Sequence, residues 1–352
     1  MDTGISYDES NLITMRTADH KGTLIIMKRI LTLALVSILS TACYAQQHPG
    51  ADEFAAKASA EYNLDPEEVR LLLEDARFKQ SIVDAMTRPA EAKPWYKYRP
   101  IFITDKRIKG GVEFWRENEA LIAQASEKFG VDPQVIVAII GVETSYGGNI
   151  GSYRVLDALT TLSFYYPTSI RDRSEFFSKE LMNFFILGNE ESLPMDEVKG
   201  SYAGAMGLGQ FMPSSYREYA VDMDGDGRRD LWSSMPDIIG SVANYLHRHG
   251  WVPGGPITFP ADVSSEADMS VVAKGDYKAK TAVSELAAAG IVSTGEVSPD
   301  TLATVASLEE EDGDHYFITF KNFYVITRYN RSPLYAMAVY ELSEAVRSGF
   351  EQ

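Results

Sequence analysis

The sequence predicts a mainly α fold with a small β-rich insert, α+β overall. Three observations lead there. Apolar residues recur at helical spacing from about residue 51 to Trp251, in segments that open at Asp, Ser or Pro and close at Gly. Between Val252 and Asp312 the apolar runs shorten and turn residues multiply, as in a strand-rich unit. A last amphipathic stretch, "PLYAMAVYELSEAVRSG", is helical again and returns the chain to the core.

With 352 residues, 45% of them hydrophobic and 24% charged, the chain is long enough for two or three domains around a real core. A net charge of −17 argues against a nucleic-acid partner, which needs a basic face. The segment "MKRILTLALVSILSTACYAQQ" has a basic start (Lys28, Arg29), an apolar stretch from Ile30 to Leu39, and small residues before Gln46. That is the layout of an export signal, too short in its apolar part to span a membrane, and it directs the chain to the periplasm. The signal proper covers 27–45 within a leader of 1–45; the start is Met27, or Met1 with an extended leader. Cys43 is the only cysteine. "CYA" before Gln46 suits ordinary cleavage, and "STAC" leaves a lipid anchor on Cys43 as the alternative. Cleavage at Gln46 leaves no cysteine, hence no disulfide and no thiolate chemistry.

Residues 46–92 are expected to form a helical N-terminal domain. There "LDPEEVRLLLEDARFKQSIVDAM" opens on Asp65-Pro66, a cap and first-turn pair. Three prolines in "RPAEAKPWYKYRP" break the pattern and mark a boundary. A helical core follows over 93–251. The insert covers 252–312, with one helix around Ala279–Ala289, and 313–352 return to the core. Within that return "HYFITFKNFYVITRYN" reads as strand or extended loop.

Three stretches carry chemistry. In "VDPQVIVAIIGVETSYGG" a helix with almost no polar face ends at Gly147-Gly148, placing Glu143 near its last turn. The negative end of the helix and apolar surroundings both favour a protonated carboxyl there, suited to general-acid work. The alternative is a glutamate that emerges into solvent at the helix end. In "GSYAGAMGLGQFMPSSYREYA" four glycines imply a tight backbone path, and Gln210 interrupts an apolar context. No Lys-Ser/Thr follows these glycines, which argues against a phosphate loop. In "DMDGDGRRDLW", Asp222, Asp224 and Asp226 alternate before Gly227, with Asp230 beyond, like the front of an EF-hand calcium loop. Arg228 needs to offer only its backbone carbonyl. Ser233 stands where the loop normally has a bidentate Glu, so Asp237 must close a longer loop or merely cap the next helix. His247 and His249 face different ways on a helix and do not form a shared zinc site.

These stretches in this order, with "IGSVANYLHRHGW", "KPWYKYRPIFI" and "FYVITRYNRSPLYAMAVYEL", closely resemble the lytic murein transglycosylase B family over roughly residues 50–352. The resemblance implies a lysozyme-like helical catalytic core. It implies cleavage of the N-acetylmuramic acid–β-1,4–N-acetylglucosamine bond of peptidoglycan, with 1,6-anhydromuramoyl ends. It assigns Glu143 as the single acid/base. Tyr98, Arg173, Ser201, Gln210, Phe211, Tyr245, Tyr324 and Tyr329 become groove residues. Asp222, Asp224, Asp226, Arg228 and Asp237 become the ligands of a structural Ca²⁺, with no organic cofactor. The partner is the glycan strand, and the protein is expected to be a monomer. Competing readings are a hydrolytic muramidase and a non-catalytic peptidoglycan-binding module.

Overall fold

Local signals start the first helices among the described residues, α1 (Ala51–Tyr62), α2 (Pro66–Asp75) and α3 (Gln80–Met86). The computed structural model describes residues 47–87 and 93–352, so the export-signal, start-site and Cys43 expectations lie outside the described residues. Asp65 caps α2, its carboxylate accepting the Glu67 N–H at 2.9 Å, and Pro66 fills the first turn, where a missing N–H costs nothing. Phe54, Leu73 and Ile82 from these helices belong to the same hydrophobic core as the helices that follow.

Eight helices come next among the described residues: α4 (Trp95–Phe102), α5 (Asp105–Glu117), α6 (Glu119–Phe129), α7 (Pro133–Thr144), α8 (Val155–Phe164), α9 (Ser174–Glu191), α10 (Pro213–Tyr219) and α11 (Met235–Arg248). The axis of the bundle is α7. Val135 to Ile140 are all 0% exposed, and a helix apolar on every side must be surrounded. Helices α5, α6 and α11 and the last helix, Pro333–Phe350, pack around it. A two-residue ladder, β1 (Tyr153–Arg154) with β2 (Lys199–Gly200), sets Tyr153 opposite Gly200.

The insert holds β3 (Thr258–Val263), β4 (Thr281–Ala282), α12 (Val283–Ala288), β5 (Ile291–Ser293), β6 (Leu302–Glu310) and β7 (Gly313–Thr319). They form an antiparallel sheet in the order β4-β6-β7-β3-β5, with Val305 opposite Ile318. Leu286, Ile291, Val305, Ile318 and Phe320 give it a small core of its own. The sheet continues past Asp312 to Thr319, and the insert's helix is shorter than expected because Thr281–Ala282 pair with β6 instead.

One expectation is corrected. The second half of "HYFITFKNFYVITRYN" is helix α13 (Lys321–Tyr329), followed by α14 (Pro333–Phe350). Its β-branched and aromatic residues favour strand locally, but Asn322, Phe323, Val325 and Ile326 are buried together on one helical face. Burial of that face decides the conformation.

Candidate active site

Glu143 occupies the last turn of α7, after which Ser145 (φ 50°) and Tyr146 (φ 60°) turn the chain away in left-handed conformations. It is half-buried, and its Oε1 accepts a 2.5 Å hydrogen bond from the Tyr335 hydroxyl. A solvated helix end is thereby excluded. Tyr335 stands in the first turn of α14, positioned by Pro333 and by Ser332, whose Oγ accepts the Tyr335 N–H at 3.4 Å. Burial, and then the negative charge of Glu143, hold the Tyr335 and Tyr329 hydroxyls well above the usual phenol range. Both therefore keep their protons at neutral pH.

A cavity of about 590 Å³, whose lining includes Phe176, Met212, Tyr219, Tyr245, His249 and Tyr329, is linked to this pair through Tyr329, whose ring stacks with that of Tyr335 at 6.4 Å. The rings of Tyr245 and Tyr329 lie 4.7 Å apart, and Phe211 packs on them at 5.6 and 5.7 Å. Their hydroxyls are anchored to backbone: Tyr245 donates to the Arg328 carbonyl at 2.5 Å and Tyr329 to the Gly209 carbonyl at 2.6 Å. Each ring is thus fixed as a wall, apolar in its body and held at its polar tip.

The glycine–glutamine segment is shaped by its own hydrogen bonds. Ser201 Oγ accepts the N–H groups of Ala203 and Ala205 at 3.2 and 3.0 Å, closing a turn. Gln210, at φ 50°, donates from Nε2 to the Gly207 carbonyl at 2.9 Å and to the Ile150 carbonyl at 3.2 Å. Gly207 has φ 68°, and a Cβ there would meet the Leu231 carbonyl at 2.5 Å, so only glycine fits. The adjacent Leu208 donates its N–H to the Leu231 carbonyl at 2.9 Å, and its carbonyl accepts Thr144 Oγ1 at 3.2 Å. One backbone unit therefore joins the end of the acidic loop to the residue beside Glu143.

Not every expected groove residue faces the groove. Tyr98 is 1% exposed and Phe211 is 2% exposed, so they back the site and offer no surface to a ligand. Arg173 is exposed at the start of α9, its guanidinium over the rings of Phe176 (4.7 Å) and Phe177 (5.4 Å), which puts it at the rim. Tyr324 lines a separate cavity on α13.

In the acidic loop, oxygens of Asp222, Asp224 and Asp237 all lie within 4.8 Å of one another. Asp237 is 1% exposed, and its two oxygens accept the N–H groups of Met223 (2.7 Å) and Asp230 (2.9 Å). Burial raises its pKa, and the charge of Asp224 adds to that. Three crowded carboxylates, one of them buried, suit a hard divalent cation. Asp226 stands outside the group, and its Oδ1 accepts the Arg228 N–H at 2.8 Å. Asp230 likewise turns back, accepting the N–H groups of Trp232 and Ser233 at 2.8 and 3.0 Å.

Two functional-site residues escape a reading of the sequence. Tyr335 is one; its only signal is an aromatic in the first turn of the returning helix. The other is Glu180, a second buried acid at 4% exposure on the cavity wall. Its oxygens accept Ser214 Oγ at 2.6 Å and Ser214 N–H at 2.9 Å, so it caps the start of α10. Burial raises its pKa against the pull of those two hydrogen bonds.

The sequence profile of the transglycosylase SLT domain matches residues 46–344. The membrane-bound lytic murein transglycosylase B of Escherichia coli (strain K12) is 40% identical over 309 residues, spanning 85% of this chain and 83% of that protein. Among solved structures, soluble lytic transglycosylase SltB1 from Pseudomonas aeruginosa has a TM-score of 0.79 at 45% identity, covering 86% of this chain and 100% of that one. The Escherichia coli lytic transglycosylase Slt35 in complex with calcium has a TM-score of 0.78 at 40% identity, covering 87% of this chain and 95% of that one. The lysozyme-like core, the half-buried glutamate and these similarities agree: the chain belongs to the lytic murein transglycosylase B family.

Proposed function

We propose that Glu143 is the single acid/base of a lyase-type cleavage of peptidoglycan that leaves 1,6-anhydromuramoyl ends. The carboxyl gives its proton to the glycosidic oxygen between N-acetylmuramic acid and N-acetylglucosamine as the C1–O bond breaks. The muramic C6 hydroxyl then bonds to C1 and loses its proton to Glu143, which is restored. No water is consumed. One product ends in a free 4-hydroxyl on N-acetylglucosamine, the other in the anhydro ring. The observation that carries this is Glu143, half-buried and held by Tyr335, while Glu180, the buried acid that lines the neighbouring cavity, is already engaged by Ser214. Hydrolysis by inversion or retention needs a second carboxylate to activate water or attack carbon. Glu180 has both oxygens on Ser214 and is poorly placed for either role.

Tyr245 and Tyr329 form the walls along which the glycan lies, with Ser201 and Gln210 at the floor and Arg173 at the rim. Asp222, Asp224 and Asp237, with the Arg228 carbonyl, would hold a structural Ca²⁺ that pins the acidic loop against Leu208. The enzyme works in the cell envelope, exported by its N-terminal signal.

Muropeptide analysis of sacculi digested with wild type and with Glu143→Gln is the test. Wild type should release anhydro-muropeptides and the variant none, at equal melting temperature. Reducing-end products, heavier by one water, would instead establish a muramidase; sacculus binding without turnover would establish a binding module.

A further inference from the structure

The two histidines near the end of α11 have different surroundings. His247 is exposed, and its Nδ1 meets the Phe129 carbonyl at 2.9 Å. His249 is half-buried on the wall of the cavity of about 590 Å³. Its ring stacks on Tyr245 at 4.2 Å and lies 4.9 Å from the ring of Tyr219. The Tyr245 carbonyl meets this residue twice, at its backbone N–H (3.2 Å) and at Nδ1 (2.8 Å). A carbonyl can only accept, so Nδ1 carries the proton of the neutral ring. Nε2, on the opposite edge, is then an acceptor. Among the described residues Nε2 has no hydrogen-bond partner, and it is not sealed in the core.

The rest of this wall is rich in donors, with Arg217, Arg328 and Arg331 among its residues. Its acceptors are largely engaged: Glu180 by Ser214, Glu218 by Arg248 at 2.7 Å, and Asn183 Oδ1 by Arg217 at 2.6 Å. The groups around His249 are Tyr219 of α10, Tyr245 and Arg248 of α11, and Lys321 and Arg328 of α13. All are phenols or cations. Burial first, and the charges of Arg328, Arg248 and Lys321 with it, hold the imidazole below its ordinary pKa, against the pull of the Tyr245 carbonyl. The ring is therefore neutral at neutral pH and gains a second proton only in acid.

We propose that His249 Nε2 is a substrate-binding acceptor, taking an O–H or N–H hydrogen bond from a sugar in this cavity, so that glycan binding weakens in acid. The inference rests on the lytic reading above, which supplies the glycan. A sugar carries hydroxyl and acetamido N–H donors along its edge, and guanidiniums can meet only its oxygens. The imidazole supplies the missing acceptor. Once protonated at Nε2 it would set a donor against a donor, and the bond would be lost. The stack on Tyr245 and the bond to its carbonyl hold the ring in one orientation, which lowers the cost of ordering it on binding.

The test follows release of anhydro ends from soluble glycan strands, with kcat and KM measured between about pH 7.5 and about pH 5, the range in which a histidine titrates. Wild type is compared with His249→Gln, whose amide oxygen can stand in for Nε2 without titrating, and with His249→Phe, which keeps the stack but has no acceptor. In wild type KM should rise about tenfold towards acid, as expected for one lost hydrogen bond. In His249→Gln it should stay near the neutral wild-type value throughout. In His249→Phe it should be about tenfold higher at every pH, with kcat unchanged in both variants. Glu180 and Glu218 line the same cavity, but their titration is common to all three proteins. A residue that only caps α11 would leave the acid rise of KM in place in the Gln variant, which overturns the proposal. A neutral KM for His249→Phe equal to that of wild type overturns it too. If the Phe variant does not fold, the comparison of wild type with His249→Gln decides alone. Wild type that cleaves with a KM independent of pH overturns this inference only. Cleavage at no pH overturns the lytic reading, and this inference with it.

Discussion

Tyr335 donates a 2.5 Å hydrogen bond to Glu143 across 192 residues of sequence. The bond fixes one carboxyl oxygen and so the orientation of the carboxyl group. A hydrogen bond to a charged group contributes about 1.5–3 kcal/mol. Tyr335→Phe keeps the ring packed in the core and removes only the hydroxyl. It should lower kcat roughly 10- to 100-fold with little change in KM or melting temperature. A kcat within twofold of wild type would show that the bond is not needed for turnover.

Tyr146 lies in a slot between two glycines. A Cβ at Gly141 would meet its hydroxyl at 2.4 Å and its ring at 2.6 Å, and one at Gly111 would meet the hydroxyl at 2.4 Å. Alanine is favoured over glycine in a helix by about 1 kcal/mol, whereas overpacking costs about 1–3 kcal/mol. The clash should win, so Gly141→Ala is expected to lower the melting temperature and to displace the turn after Glu143. The Tyr146 hydroxyl is buried without a partner among the described residues, so Tyr146→Phe should be neutral or stabilising. Calorimetry of the two variants checks both signs.

Calcium should stabilise the fold through the three-carboxylate group. At an ion concentration 100 times Kd, binding adds about 2.7 kcal/mol, and chelation should lower the melting temperature by roughly 5 °C. Asp237→Asn should abolish most of that response. Because Leu208 bonds to both Leu231 and Thr144, activity should fall with chelation as well. An unchanged melting curve after chelation would count against a bound ion.

Glu180 makes a pH prediction. Burial lifts its folded pKa above the ordinary carboxyl value of about 4.3. Its folded form therefore binds a proton more readily than its unfolded form. The resulting stability is complete below the unfolded pKa and is lost as pH rises through the folded one. Glu180→Gln lacks this dependence. The melting temperature of wild type minus that of the variant should be largest in acid and shrink towards neutral pH; a flat difference would contradict the assignment.

Much of this architecture is legible in the sequence because it is local. The unbroken apolar run of α7 can only be a surrounded helix, and Asp65-Pro66 announces α2. The acidic loop shows its alternation, but spacing does not say which carboxylates point inward. Asp226 alternates like a ligand, yet its carboxylate lies outside the group formed by Asp222, Asp224 and Asp237. Glu180 reads as a charge on an amphipathic helix until Ser214 is brought over it. Tyr98 and Phe211 belong to the right motifs, but only packing shows that they lie behind the wall. Strand-like composition conceals α13 because its face is buried by the tertiary fold. Tyr335 and Glu143 are joined by chain closure, which no window of sequence contains.

The packing of α14 against α7 also sets when the enzyme comes into being. Contacts between distant parts of a chain form late and slowly. The carboxyl of Glu143 is made early in synthesis, but it gains its phenol partner only after residue 335 has emerged and docked. A fragment that stops before Pro333 would have an uncovered apolar helix and an unfinished site. The site is therefore whole only after α14 has docked on α7, so that cleavage at its full rate has to wait for the folded core.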